Sequence, residues 1–225
     1  MFGPKCTRVF VAGCFALVVL APGAARADTT FIVETDTSPI LTEFGSGYTG
    51  YVDLQYNALS GAGLSTATIT EFSSNGTLGG CVPEASCVIG DASGELSSTV
   101  TIGNGALDNS SYNDFNEAIT FGTFVDFVVT LSGPPGGTNW STFTLSYFET
   151  DDSTPLLSAD PNGASGTITI QPSGAVATET YKATDNNYYT TITTVPEPSS
   201  LLPLGAVLML VAGVAVRTRF RRRAA

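Results

Sequence analysis

The chain has 225 residues, of which 43% are hydrophobic and only 13% charged, and it contains no histidine. Twenty acidic residues against nine basic ones give a formal net charge of −11. The lack of histidine excludes a Ser-His-Asp triad, a histidine general base and a histidine-ligated metal site, and the acidic balance excludes nucleic-acid binding through a basic surface.

The N-terminus has the organisation of a secretory signal peptide, which we assign to residues 1–27. A basic start and an apolar stretch at residues 9–21 precede the A-x-A pattern that ends at Ala27. Export through the Sec translocon and cleavage by signal peptidase would leave Asp28 as the first residue. A lipoprotein box ending at Cys14 is the competing interpretation, but almost no apolar stretch precedes it.

The segment between the two ends is strongly acidic. Lys182 is the only basic residue between Asp28 and Ser200, while all twenty acidic residues lie in this interval. One lysine against twenty carboxylates gives the exported body a charge of −19. Such a body is expected to stay soluble outside the cell and to attract divalent cations.

Two cysteines remain once the signal peptide has left. Cys81 and Cys87 are separated by five residues in a Gly- and Pro-containing stretch. In an oxidising periplasm this pair is expected to form one disulfide that closes a short loop.

The body, residues 28–194, contains short stretches in which apolar and polar residues alternate, as in half-buried antiparallel strands. In chain order these stretches are residues 31–33, 48–56, 64–72, 95–102, 119–131, 140–148, 166–170 and 188–194. About eight to ten strands at this spacing predict an all-β fold, an antiparallel β-sandwich such as a jelly roll. We expect residues 119–131 and 140–148 to pair at the centre of one sheet.

Oxygen-rich loops are the candidate metal sites. Glu149, Asp151, Asp152 and Asp160 follow a predicted strand, and carboxylates on a loop suit Ca²⁺. Their spacing is not that of an EF-hand, and a solvated loop with Asx turns is the alternative. A second acidic and amide-rich group at residues 108–117 has the same two interpretations.

Aromatic and amide residues offer a possible sugar-binding surface. The stacking candidates are Trp140, Tyr188 and Tyr189, and the hydrogen-bonding candidates are Asn186 and Asn187. The alternative is that these aromatic rings pack at strand edges. Threonines at every second position of residues 66–70, and the threonines of residues 190–194, suggest an ice-binding face, although threonine is also an ordinary solvent-facing strand residue. Carboxylates for glycoside hydrolysis are plentiful, but no two are marked as facing each other.

The last thirty residues have the pattern of a segment that inserts into a membrane. The motif Val195, Pro196, Glu197 and Pro198 is expected to be extended, because each proline bars the residue before it from a helix. The apolar run at residues 201–216 is predicted to form a single transmembrane helix. The arginines that follow are predicted to act as the cytoplasmic stop: Arg217, Arg219, Arg221, Arg222 and Arg223.

This order of motif, apolar run and arginine cluster over residues 195–225 resembles the PEP-CTERM sorting signal of Gram-negative bacteria. The resemblance implies processing by exosortase, a membrane-embedded cysteine transpeptidase that cleaves near the proline-containing triplet. A plain C-terminal anchor is the alternative, but a helix of residues 201–216 would span only ~24 Å of a ~30 Å hydrocarbon core. Residues 123–163 are also similar to a module that recurs in PEP-CTERM proteins without known activity.

These features predict an exported protein without enzymatic activity. Its precursor is expected in the inner membrane, and its processed form at the cell surface or in an exopolysaccharide matrix, with a structural or adhesive role. The runner-up function is a Ca²⁺-assisted carbohydrate-binding module. An ice-binding protein and a glycoside hydrolase rank below it.

Overall fold

The computed structural model of the protein describes residues 28–81, 87–105, 112–133 and 136–196. Within these ranges the chain forms fourteen strands and one short helix. Their bounds are β1 Thr29–Asp36, α1 Ser38–Phe44, β2 Thr49–Ala58, β3 Thr66–Ser74, β4 Thr77–Leu78, β5 Val88–Ile89, β6 Ala92–Gly94, β7 Val100–Gly103, β8 Asp114–Thr120, β9 Phe124–Ser132, β10 Ser141–Phe148, β11 Pro155–Leu156, β12 Ala164–Ile170, β13 Val176–Thr180 and β14 Thr190–Val195.

The strands form two antiparallel sheets that pack as a β-sandwich. The six-stranded sheet has the order β14-β1-β9-β3-β7-β6, and the eight-stranded sheet has β13-β12-β10-β2-β8-β4 along its main path. The remaining strands are short, with β11 beside β10 and β5 beside β8. The predicted all-β antiparallel sandwich is therefore confirmed.

The core lies between the two sheets and follows from the alternation in the sequence. On β9, Val125, Phe127, Val129 and Leu131 are buried and their neighbours are half-buried. On β10, Phe143, Leu145 and Tyr147 are buried in the same way. These inner faces belong to one continuous apolar cluster, whose burial is the main favourable term in the stability of the fold.

The predicted strand at residues 119–131 is in fact two strands, and this prediction was wrong. Ile119 belongs to β8 in one sheet, whereas the residues from Phe124 onward belong to β9 in the other. Asn75 fixes the corner between them: its Oδ1 accepts from the Thr123 amide at 2.7 Å, and its Nδ2 donates to Thr123 Oγ1 at 3.0 Å. Gly122 lies directly against Gly76, where a Cβ would clash with the backbone.

The expected pairing of residues 119–131 with residues 140–148 was also wrong. β9 pairs with β1 and β3, whereas β10 pairs with β2 and β12 in the opposite sheet. Both strands carry a largely apolar inner face. Two such faces are buried more completely by facing each other across a sandwich than by lying side by side.

Several elements were not predicted from the sequence: α1, most of β8, β13 and the short strands β4, β5, β6 and β11. β8 begins at Asp114, inside the acidic and amide-rich group at residues 108–117, and β13 Val176–Thr180 follows a Gly-containing turn. Only the end of residues 95–102 is a strand. Asp160–Gly163 forms a turn, in which the Gly163 amide donates to the Asp160 carbonyl at 2.9 Å.

The two ends of the body meet at one edge of the sandwich. β1 and β14 are antiparallel neighbours, with Thr30 opposite Val195. Among the described residues no helix is long and apolar enough to cross a membrane. The predicted signal peptide 1–27, including Ala27, lies outside the described residues, as do Glu197, Pro198 and all that follows, including the apolar run 201–216 and the arginines after it.

Candidate functional site

A cleft of about 910 Å³ opens on the outer face of the eight-stranded sheet. Its floor is formed by β2 and β8, and its walls by residues next to the disulfide on one side and by the segment 152–162 on the other. The polar and aromatic side chains that line it are Tyr51, Asp53, Gln55, Tyr112, Asp114, Asn116 and Asp152.

Neighbouring strands bring two aspartates together on this floor. Asp53 in β2 is registered opposite Asn116 in β8, and Gln55 is registered opposite Asp114. Both aspartates lie on the outward face of their strands, since Val52, Leu54 and Phe115 fill the core side. Asp53 and Asp114 are nevertheless only 4% exposed, because the walls of the cleft cover them.

Gln55 and Tyr112 join the two aspartates in a hydrogen-bonded chain. Gln55 Nε2 donates to Asp53 Oδ2 at 3.1 Å and to the Tyr112 hydroxyl at 2.7 Å. Tyr112 in turn hydrogen-bonds to Asp114, and the Asp53 and Asp114 carboxyls also contact each other. Ionised carboxylates only accept, so this last contact is a hydrogen bond only while one of them carries a proton.

Three oxygens on the floor of the cleft have no hydrogen-bond donor among the described residues: Asp53 Oδ1, Asp114 Oδ1 and Asn116 Oδ1. Buried acceptors of this kind are rare, because each costs about 1–3 kcal/mol of desolvation without compensation. The body's single lysine does not serve them. Lys182 Nζ donates to Asn186 Oδ1 at 2.8 Å and lies 5.3 Å from the centre of the Tyr188 ring.

The electrostatics of the pair follow from its burial. Burial raises the pKa of the Asp53 carboxyl, which the Gln55 hydrogen bond partly offsets. Burial also raises the pKa of Asp114, and the charge of Asp53 raises it further. Both aspartates therefore retain protons to a higher pH than an exposed aspartate does.

The predicted metal-binding loop is divided between the cleft and the solvent. Asp152 lines the cleft, and its Oδ1 accepts from Asn116 Nδ2 at 2.6 Å. Asp151 instead caps its own loop, accepting from the Thr154 hydroxyl and amide and from the Ser153 amide, and these bonds lower its pKa to about 2.

The other two predicted ligands are also engaged locally. Glu149 accepts from the Tyr48 hydroxyl at 3.2 Å, and Asp160 accepts from the Asn162 amide at 2.8 Å. Across the described ranges no three His, Cys, Asp or Glu side chains are grouped closely enough to hold a metal. The predicted set of four therefore does not converge on one point.

The predicted sugar-stacking aromatics lie at the starts of strands in different sheets. Trp140 precedes β10 in the eight-stranded sheet, and Tyr188 precedes β14 in the six-stranded sheet. They are 47% and 59% exposed, respectively. Tyr189 donates to Asp185, and Asn187 donates to the same carboxylate at 2.9 Å. The aromatic and amide set is therefore split, and the concave polar surface is the cleft instead.

The threonines of β3 take part in a row across the outer face of the six-stranded sheet. Four threonines on four neighbouring strands are in register: Thr30, Thr130, Thr68 and Thr101. The Thr30 and Thr130 hydroxyls are 3.2 Å apart. The next row along the strands contains Ile32 and Val128, so the array is one threonine deep.

The Cys81–Cys87 disulfide is present, as predicted. Cys87 is buried and lines the cleft, and the Gly80 amide beside Cys81 donates to Glu117 Oε1 at 3.1 Å. The disulfide thus fixes one wall of the cleft. Of the sorting motif, Val195 ends β14 and Pro196 is exposed.

Sequence reasoning found only part of this site. The group at residues 108–117 contained Tyr112 and Asp114, but nothing connected it with Asp53. The available signal was Tyr51-Val-Asp53-Leu-Gln55, a carboxylate and an amide in mid-strand on the face opposite Val52 and Leu54. A polar pair at that place in a strand indicates either solvent or a covered polar site, and the sequence alone does not distinguish them.

Comparison with protein-family models, with curated proteins and with solved structures gives no match to this chain.

Proposed function

We propose that this is an exported protein of the cell surface or extracellular matrix, sorted by exosortase through its C-terminal segment, with a structural or adhesive body and no enzymatic activity. The observation that carries the proposal is the sequence from Val195 onward: a Pro-Glu-Pro motif, a short apolar run and a cluster of arginines. A disulfide and a body charge of −19 fit a location outside the cytoplasm.

The position of the two ends supports this proposal. β14 ends at Val195, and the sorting motif begins there, so no linker separates the folded body from the predicted cleavage region. Thr30 pairs with Val195, so a mature chain that begins at Asp28 would start beside the proposed sorting motif. The precursor would therefore be attached to the membrane at one edge of the six-stranded sheet. The cleft lies on the eight-stranded sheet, which contains neither end of the body.

The finer features of the fold belong to the same proposal. We assign the sandwich to the jelly-roll type and residues 201–216 to a single transmembrane helix that is removed on processing. The helix would be too short for a stable anchor, which suits a temporary stop before exosortase acts.

The arginine cluster provides the test of this proposal. Replacement of Arg219, Arg221, Arg222 and Arg223 by Ser should weaken membrane retention and reduce correct processing, because the positive cytoplasmic stop is lost. Immunoblots of cell, membrane and medium fractions would measure both effects. Lys182→Ser, which removes a positive charge from the body, is the control and should be processed normally. Normal processing of the arginine variant would contradict sorting by this segment.

The cleft favours a second candidate, a Ca²⁺-assisted carbohydrate-binding module. A concave surface with Tyr51, Tyr112, Gln55 and Asn116 supplies both rings and amides for sugar hydroxyls. Glycoside hydrolysis fits less well, because its two carboxyls stand at least ~5 Å apart, whereas Asp53 and Asp114 contact each other. Ice binding fits less well too, because the threonine row on the six-stranded sheet is only one residue deep, with Ile32 and Val128 in the next row.

A further inference from the structure

The floor of the cleft contains carboxylate and amide oxygens that no described residue of the protein balances with a positive charge or a hydrogen bond. Asp53 Oδ1, Asp114 Oδ1 and Asn116 Oδ1 are buried and accept no hydrogen bond within the described part of the chain. They lie on two paired strands, with Asp53 directly opposite Asn116. We propose that Asp53, Asp114 and Asn116 bind a divalent cation, Ca²⁺, at the floor of the cleft.

When both carboxyls are ionised, a bound cation would supply the counter-charge that the described residues around them do not provide. Among the described residues no lysine or arginine lines the cleft, and Lys182 is engaged with Asn186. Two carboxylates in contact repel each other strongly when both are buried and ionised. A metal ion between them replaces repulsion by two attractions and satisfies the three oxygens at once.

The type of ligand favours a hard divalent cation, of which Ca²⁺ tolerates the more varied coordination. Carboxylate and amide oxygens are hard ligands, and the cysteine that lines the cleft is held in a disulfide. Ca²⁺ accepts 6–8 oxygens in irregular geometry, whereas Mg²⁺ requires a near-ideal octahedron. Three protein oxygens leave the remaining coordination positions to water or to oxygens of a bound molecule in the open cleft.

Asp152 acts as a positioning residue in this arrangement. Its Oδ1 accepts from Asn116 Nδ2, which fixes the amide so that Asn116 Oδ1 remains available as a ligand. Asp152 adopts a positive φ of 55°, a backbone conformation that residues other than glycine rarely adopt. The loop that was predicted to bind Ca²⁺ therefore contributes one residue, which acts through Asn116.

The inference deepens the carbohydrate-binding candidate and rests on its cleft, but cation binding is measured without any saccharide. Absence of sugar binding with cation binding intact would remove that candidate and leave the cation site standing. The proposed sorting is unaffected by either result.

The test is a titration of the full-length protein, purified in mild detergent and freed of metal by a chelating resin. Tb³⁺, a luminescent substitute for Ca²⁺, should be sensitised by Tyr51 and Tyr112, and added Ca²⁺ should displace it. Asp53→Asn with Asp114→Asn should weaken Tb³⁺ and Ca²⁺ binding by at least about tenfold, because ligand charge sets the affinity. Asp152→Ala should weaken binding less than the double variant does.

The matched control is Glu34→Gln with Asp126→Asn. These two carboxylates are opposite each other on the six-stranded sheet, so the control removes the same charge without touching the cleft. Circular dichroism would show that every variant is folded. Binding that survives in the cleft variant, or falls equally in the control, would overturn the site, and tighter binding of Mg²⁺ than of Ca²⁺ would overturn the assignment to Ca²⁺.

Discussion

At the scale of single residues, the Asp53–Asp114 pair is a contact that does not stabilise the fold when both carboxyls are ionised. Two carboxyls of like charge, each 4% exposed, destabilise the native state whenever both are ionised. Hydrophobic side chains at these outward positions would be covered by the same walls without that cost. Groups whose pKa is shifted by burial and by a charged neighbour in a cleft are typical of functional sites.

The raised pKa of Asp114 gives the stability of the protein a defined pH dependence in the absence of metal. The native carboxyl keeps its proton over a pH range in which the unfolded chain, with a pKa near ~3.9, has lost it. Its stabilising contribution is therefore complete below the unfolded pKa and is lost as pH rises through the native pKa.

Asp114→Asn should remove this loss. We expect its free energy of unfolding to exceed that of the unaltered protein by about 1–2 kcal/mol at pH 8, with little difference at pH 4. Urea denaturation at the two pH values measures the effect. Asp151→Asn is the control. Hydrogen bonds from Thr154 and Ser153 lower the pKa of the Asp151 carboxyl, so this variant should have a lower free energy of unfolding at pH 8 than the unaltered protein. A stability at pH 8 that is unchanged or lower in Asp114→Asn would contradict the description of the pair.

The sequence analysis identified Asp114 as part of a candidate site but not Asp53, and the reason is physical. Asp114 lies in a visible cluster of acidic and amide residues, but Asp53 stands alone in a strand. Its partner is 61 positions away, and only the register of β2 against β8 brings the two together. Alternation of polar and apolar residues identifies the face of a strand, but it does not identify the neighbouring strand.

At the scale of elements, β14 is the critical strand, since it closes one edge of the six-stranded sheet. It pairs with β1 over six residues, from Thr190 to Val195. Ile192 packs on the core, and its side chain lies against Gly166 in the other sheet. The last strand before the sorting motif is thus an integral part of the sandwich.

Removal of β14 should be measurable as a loss of stability. A chain that ends at Tyr189 is expected to melt roughly 5–10 °C below one that ends at Pro196, because it loses a full strand pairing. It should also aggregate, since the edge of β1 becomes exposed. Circular dichroism and light scattering would follow the two effects. Equal melting temperatures of the two chains would show that β14 contributes nothing to the fold.

The sequence predicted most of the longer strands but not their arrangement. Alternation located β1, β2, β3, β10 and β12 within a few residues of their observed bounds. It failed at residues 119–131, because apolar residues continue through the corner at Phe121 and the pattern does not show the change of sheet. The corner depends on Asn75, a residue distant in sequence, through its two hydrogen bonds to Thr123.

At the scale of the whole molecule, charge and chain ends agree with one account. The body has one lysine and twenty acidic residues, and every other basic residue of the chain lies before or after it. Both ends of the body meet at the β1–β14 edge, beside the proposed sorting motif. This organisation is compatible with the proposed processing of both ends at a membrane.

Export followed by sorting and cleavage can be tested by the intact mass of the protein from its native culture, measured separately for cells and medium. The account predicts a form that begins at Asp28 and ends between Pro196 and Ser199. Such a form would retain β14 and lack the apolar run. A membrane-bound form that keeps residues 201–225 as its final state would contradict sorting and identify the segment as an ordinary anchor.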